Sequence, residues 1–501
     1  MTPARLAVYV FAILLALSPA RAAEDAGSAA NKHQAADAAL VRELPADATS
    51  QHVLGNGESA LRYSATAGTL PLTNDKGATA AKIFYVAYTT GDASRPVSFI
   101  FNGGPGAASA FLHLGAIGPR VLNFTANGAA PQTPVALSDN PDSWLAFTDL
   151  VFVDPVGTGY SRASSVGDEA EKAFYGVEKD ADSMTDFARL YLTRSGRELA
   201  QVYVVGESYG GFRAALVSNR LLKDGIQVKG TILISPALEF SMIRGDDYAL
   251  VPLALQLPSI AASDLERTKG YGAPFEPVYE AETFAHSDYL LQLAHGLEVG
   301  EGNVAKLARL TGLDPKVIAQ HHGRVSAGLF RDEYRRNENR AMSAYDGSVT
   351  IPLPRPARHA WIDPILDDAV TVLTPLMVKY ARDELGFRTD LPYTLLNRDL
   401  SQKWDYGTKP NAQGYAGCLD ELQEARTLSP DLKVFIANGY TDLITPYSVS
   451  QFLVSQLAPI ASARPVETHV YRGGHMMYMR PASRAALSHD VRSVYEDRKK
   501  S

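Results

Sequence analysis

The pentapeptide Gly206-Glu207-Ser208-Tyr209-Gly210 constrains this chain more than any other stretch. It follows residues 201–205 (QVYVV), a short apolar run that reads as a buried strand, and precedes residues 211–222, which read as a helix. A strand, G-x-S-x-G and a helix in that order make a turn so tight that small residues are needed two positions either side of the serine. The turn lifts the Ser208 hydroxyl above a sheet, near the positive end of the following helix. A serine hydroxyl is a weak nucleophile until a base takes its proton. The turn therefore predicts a histidine and an orienting acid further along the chain, in the order acid, then histidine.

Other runs share this texture. Residues 82–89 (KIFYVAYT), 97–101 (VSFIF), 150–153, 231–234 (TILI) and 434–437 (VFIA) are short apolar stretches that read as strands. Nearly continuous apolar strands separated by helical stretches predict an α/β fold, with a mostly parallel sheet covered by helices on both faces. Between about 240 and 395 the strand-like runs vanish, and helical pieces are broken at Pro352, Pro354, Pro356 and Pro364. Strand-like signals resume after 430. Residues 241–394 are therefore expected to be a helical cap inserted into a core built from 46–240 and 395–501.

The first residues bear on compartment. Arg5 precedes an apolar run, residues 6–17, too short to span a bilayer, and Ala20 and Ala22 follow as the small residues of a cleavage site. Residues 1–22 are expected to be a signal peptide and 23–45, rich in Ala, Asp and Ser, a flexible lead-in, so that the mature protein is secreted or periplasmic. No later run is long and apolar enough to predict a membrane span. The net charge of −7 gives no general attraction to nucleic acid or anionic membrane. The 11 histidines are scattered, with no HExxH motif and no Cys/His cluster, so neither metal nor cofactor is expected. Cys418, the only cysteine, has no signature around it and reads as a packing residue.

Two residues answer the demand for acid and base. Asp442 lies in Asn438-Gly-Tyr-Thr-Asp-Leu-Ile-Thr-Pro446, directly after an apolar strand, and His475 lies in the Gly-rich Tyr471-Arg-Gly-Gly-His-Met476. Both sit just past strand ends, where such sheets place their sites. Asp490 is the next acid to consider. An oxyanion hole needs backbone N–H groups aimed at developing negative charge. One is expected from Tyr209, the other from the loop Asn102-Gly103-Gly104-Pro105-Gly106, which follows the strand VSFIF.

These segments, with Asn140-Pro-Asp-Ser-Trp144 and Asp154-Pro-Val-Gly-Thr-Gly-Tyr-Ser161, resemble the serine carboxypeptidase family in content and order over about 95–240 and 430–480. The resemblance implies an α/β-hydrolase fold and an exopeptidase that releases a C-terminal residue through an acyl-enzyme, acting on peptides with a free C-terminus. By position, it implies Ser208 as nucleophile, His475 as base and Asp442 as its orienter. Gly104 and Tyr209 would supply the oxyanion N–H groups. Asn102, Gly103 and Glu207 would hold the substrate carboxylate, with Met476 lining the leaving-residue pocket.

The chain departs from the pattern twice. The family pairs the equivalent of Glu207 with a second glutamate, and counting along 106–119 puts Ala116 there, with His113 nearby as a possible substitute. The disulfides of eukaryotic relatives are also missing, which leans towards a bacterial exported protein. The rival functions are an esterase or acyltransferase built on the same apparatus, and a non-catalytic binding protein on the same fold.

Overall fold

The computed structural model describes residues 44–57, 60–131, 135–165, 167–243, 248–353, 363–407 and 416–496. The expected signal peptide, the lead-in up to residue 43, Pro354 and Pro356 lie outside the described residues. Ten described strands form one sheet. They are β1 (Ala48–Leu54), β2 (Leu61–Thr73), β3 (Thr79–Thr89), β4 (Val97–Phe101), β5 (Asp149–Val153), β6 (Arg162–Ala163), β7 (Val202–Glu207), β8 (Val228–Ile234), β9 (Lys433–Gly439) and β10 (Glu467–Tyr471).

The lateral order is β1-β2-β3-β5-β4-β7-β8-β9-β10, with β6 paired to β3. From β5 to β10 every neighbouring pair is parallel, whereas β1, β2 and β3 form an antiparallel edge that joins β5 antiparallel. Five strands of the parallel half, β4, β5, β7, β8 and β9, match the apolar runs, whereas the run 82–89 falls on the antiparallel β3 and the parallel β10 (ETHVY) gave no such run. The edge pair β1 and β2 gave no such signal, because β2 (LRYSATAGTLPLT) alternates buried positions, from Tyr63 through Ala65 and Ala67 to Leu70 and Leu72, with half-buried, mostly polar ones and so forms no continuous apolar run.

Both faces of the central strands are buried, which explains their unbroken apolar character. Along β4, Ile100 enters one core cluster while Val97, Phe99 and Phe101 enter the other. Along β9, Phe435 and Ala437 take the first face and Val434 and Ile436 the second. Helices α1 (Val177–Ser195) and α2 (Tyr209–Lys223) cover the second face. Cys418 is buried there, and burial pushes its thiol well up, as befits a packing residue.

The expected cap does not behave as one unit. Helix α3 (Leu250–Lys269), the helices up to residue 320 and α4 (Ala327–Glu338) share a separate apolar cluster, to which Leu443 also belongs. Helix α5 (Leu366–Asp383) instead sends Leu366, Ala369, Leu373, Leu376, Met377 and Tyr380 into the sheet's first-face cluster. Loss of strand texture marks where strands stop, but not which core a helix with apolar residues every three or four positions will join. A two-stranded ladder, Arg340–Met342 with Thr350–Pro352, also lies in the segment expected to be a helical cap. A final helix, α6 (Pro481–Tyr495), adds Leu487, Val491 and Val494 to the first-face cluster.

Candidate active site

At the end of β7 the chain turns sharply into α2, and Ser208 sits at the junction with φ 60° and ψ −124°. A non-glycine residue is held there only when its surroundings leave no alternative. The surroundings do so by proximity: a Cβ at Gly206 would lie 1.8 Å from the Gly210 carbonyl oxygen. Ser208 N–H donates to Ile234 O at 2.9 Å, fixing the elbow to β8.

The loop after β4 crosses the elbow at backbone contact. A Cβ at Gly103 would lie 2.5 Å from Tyr209 N and 2.6 Å from Glu207 O. The first N–H groups of a helix have no intrahelical acceptor, so α2 presents Tyr209 N–H beside the Gly103-Gly104 backbone. Two of the quoted motifs hold the segment that follows this loop. Asp154 Oδ1 accepts from Ser109 N–H at 2.8 Å, and the Asn140 amide donates to Ala116 O and Gly118 O, each at 2.8 Å.

Asp442 lies in the loop after β9 and is fully buried. Its Oδ1 accepts from the backbone N–H of Ile444 at 2.8 Å and of Thr445 at 3.0 Å. Oδ2 lies 2.7 Å from Thr445 Oγ1 and 2.8 Å from His475 Nδ1. His475 follows β10. Its N–H donates to Tyr345 O at 2.5 Å, its carbonyl accepts from Ser235 Oγ at 2.8 Å, and its ring meets the Tyr345 ring edge-on at 5.1 Å. Burial lowers the imidazole's affinity for a proton, but Asp442, with Glu207 and Asp363 further off, outweighs it and raises the pKa above its ordinary value. Asp490 faces elsewhere, accepting from Tyr471 OH at 2.8 Å.

Glu207, one residue before Ser208, is almost wholly buried. Burial pushes its carboxyl up to about 7, with His475 opposing the shift and Asp442 reinforcing it. The Asn102 amide donates to Oε2, and Tyr478 OH lies 3.0 Å from Oε1 and 2.9 Å from Oε2. Asn102 is fixed in turn, its Oδ1 accepting from Leu112 N–H at 3.0 Å and its carbonyl from Arg213 Nη1 at 2.6 Å. Arg213 makes a two-point pair with Asp180, at 2.6 and 3.1 Å, with both residues buried. Met476 is buried in the first-face cluster beside the His475 loop.

The structure thus gathers Asn102, Gly103, Glu207, Ser208 and Tyr209 at one end of β4 and β7. Asp442 and His475 come to the same edge from β9 and β10, and their charges act on Glu207. His113 does not join them. Its Nε2 pairs with Tyr88 OH at 2.6 Å, its ring stacks on Phe152 at 4.1 Å, and burial pushes its pKa down to about 3. A histidine so enclosed remains neutral and cannot replace an acid beside Glu207. Thr445, Tyr345, Tyr478 and Arg213 were not anticipated. Arg213 alone left a trace in the sequence, as a charged residue in the apolar first half of the helical run 211–222. Among the described residues no group of three or more His, Cys, Asp or Glu could hold a metal ion, and no helix is long and apolar enough to cross a membrane.

A strained serine at a strand–helix junction of a mostly parallel sheet, with a paired histidine and acid on later loops, defines the α/β-hydrolase fold. The solved structure of KEX1(delta)p, a prohormone-processing carboxypeptidase from Saccharomyces cerevisiae, shares that fold. It aligns at a TM-score of 0.51 and 16% identity, covering 86% of this chain and 91% of its own.

Residues 59–240 match the model of the serine carboxypeptidase family. Serine-type carboxypeptidase F of Aspergillus niger is 27% identical over 192 residues, covering 37% of this chain and 33% of that protein. Serine carboxypeptidase-like 44 of Arabidopsis thaliana is 29% identical over 160 residues, covering 29% of this chain and 30% of that protein. The match thus spans about a third of the length of these curated relatives.

Proposed function

We propose that this protein is a serine carboxypeptidase that cleaves C-terminal residues from peptides through an acyl-enzyme on Ser208. In this reading His475 takes the Ser208 proton as Oγ attacks the scissile carbonyl, and Asp442 holds the imidazole in the required tautomer. Tyr209 and Gly104 N–H groups meet the oxyanion. The proton then passes from His475 to the leaving amino group, and the C–N bond breaks. Water, deprotonated by the same histidine, releases the acyl group and restores Ser208.

The observation that carries the exopeptidase reading is the buried Glu207 carboxyl beside the nucleophile, raised to about 7 and held by Asn102. A carboxyl that keeps its proton near neutrality can donate to a substrate carboxylate, whereas an ionised one would repel it. Asn102 and Gly103 would complete that contact, and Met476 would line the pocket of the departing residue. The matched family segment supports the same activity. A blocked dipeptide with a free C-terminal carboxylate, assayed against its amide-capped counterpart, tests the reading. A clear preference for the free acid is expected, and equal kcat/KM would leave a general acyl hydrolase.

Ala116, where the family's second glutamate falls, is the observation that favours an esterase or acyltransferase as second reading. We further propose that the chain is exported after cleavage following Ala22. The run 6–17 and the small residues Ala20 and Ala22 support export. A bacterial-type member is supported by the single cysteine, which excludes any intramolecular disulfide.

A further inference from the structure

Ala116 lies buried in the one-turn helix His113–Ile117, so the acid that would flank Glu207 is missing. The space beside that turn is nevertheless filled. The Tyr478 ring is fully buried, and a Cβ at Gly115 would lie 3.1 Å from its Cε2. Its hydroxyl reaches both Glu207 oxygens, at 3.0 and 2.9 Å, while Asn102 holds Oε2 from the β4 side. The short helix Met477–Met479, which carries Tyr478, runs directly from the His475 loop into α6.

We propose that Tyr478 stands in for the missing acid as the positioning residue of Glu207, and so sets the pH range over which a C-terminal carboxylate is recognised. The inference rests on the carboxypeptidase reading above and specifies how it works in this chain.

A second carboxylate and a phenol act on Glu207 in opposite senses. Two facing carboxyls retain a shared proton because both cannot ionise together, which raises the pKa of the pair. A tyrosine hydroxyl is neutral at working pH and donates to the ionised carboxylate, which lowers it. The same hydroxyl can also accept, so the contact survives when Glu207 carries its proton and the carboxyl stays aimed in both states. The other ionisable neighbours are His475, whose cation favours the ionised form, Asp442, which favours the protonated form, and Tyr345. Of the two side chains nearest a Cβ at Gly115, Tyr478 and Phe124, Tyr478 is the one bonded to Glu207.

The test is the pH profile of kcat/KM for a free-carboxylate dipeptide, referred at each pH to its capped ester, in the full chain. With Tyr478→Phe the ring still packs on Gly115 but the donor is gone. The alkaline fall of the ratio should then move up by about one pH unit, the size expected for one lost hydrogen bond to a charged group. Replacing Tyr478 by 3-fluorotyrosine, a stronger donor of nearly the same shape, should move the fall the other way. Opposite displacements would support the proposal, and a midpoint unmoved by 3-fluorotyrosine overturns it even if the phenylalanine variant does not fold. Glu207→Gln separates this from the parent reading. If it flattens the fall while the tyrosine variants leave the midpoint alone, only the role of Tyr478 is lost. If it leaves the fall intact, the role given to Glu207 is lost as well.

Discussion

Arg480 and Glu266 meet at 2.7 Å with both side chains almost wholly buried, tying the loop that follows His475 to helix α3. The other arm of Arg480 reaches Asp346 at 2.7 Å, and Asp346 Oδ1 accepts from Thr441 Oγ1, also at 2.7 Å. One guanidinium therefore links the helical unit, the 343–349 loop and the strand-end loop of Asp442. Removing one member leaves the others charged and buried. Arg480→Met is expected to lower stability by about 3–5 kcal/mol. Chemical denaturation checks this, and a loss below about 1 kcal/mol would mean that the cluster contributes little.

Ser208→Ala is expected to reduce turnover on the order of 10⁴-fold or more, with the fold intact by circular dichroism. His475→Ala should be comparably damaging, because the two groups act as a unit. Asp442→Asn should leave more activity, since it disturbs only tautomer and orientation. Full activity in Asp442→Asn would count against the assignment. Asp490 is not a ready substitute, being bonded to Tyr471.

The raised pKa of Glu207 also has a cost in stability. Its carboxyl ionises near 4.5 in the unfolded chain and at about 7 when folded. The unfolded state therefore releases the proton first as pH rises. The contribution of Glu207 is fully present below about 4.5, declines between that value and about 7, and is lost above it. Glu207→Gln, which does not ionise, should accordingly be more stable than the parent at pH 8, by up to about 3 kcal/mol, and no more stable at pH 4. Urea unfolding at the two pH values reads the difference.

Arg213 holds the Asn102 carbonyl while it pairs with Asp180 through two nitrogens. Arg213→Lys keeps the charge but not the planar fork, so Asn102 loses its fixed position. A rise in KM of about tenfold for free-carboxylate substrates is expected, larger than the change for capped ones. Parallel Michaelis curves for the two substrates decide it.

The proposed cleavage after Ala22 is expected to leave a mature N-terminus at Ala23, and the intact mass of the exported protein checks the cut. A mass that retains residues 1–22 would contradict it.

The sequence disclosed those parts of the fold whose residues are buried on two sides. VSFIF and QVYVV can only be central strands, and the glycines around Ser208 permit only a sharp turn. The edge strands were silent because β2 interleaves its buried residues with Ser64, Thr66 and Thr69 and so never forms an apolar run. The site divides similarly. Ser208, Asp442 and His475 stood beside recognisable strand ends, whereas Tyr478 sits in His475-Met-Met-Tyr-Met479 and reads as one more apolar residue. Its partnership with Glu207 joins positions 271 residues apart, which no local pattern records.

The lateral order of the sheet also has a practical consequence. From β1 to β7 there are five strand steps, β1-β2-β3-β5-β4-β7. At about 4.8 Å per step this puts the first strand roughly 24 Å from the strand that carries the elbow. A fluorophore or a tether to a solid support attached at an exposed position of β1, such as Gln51, would therefore sit at the margin of the sheet, away from the elbow. An immobilised preparation made that way should leave Ser208 unobstructed by the support.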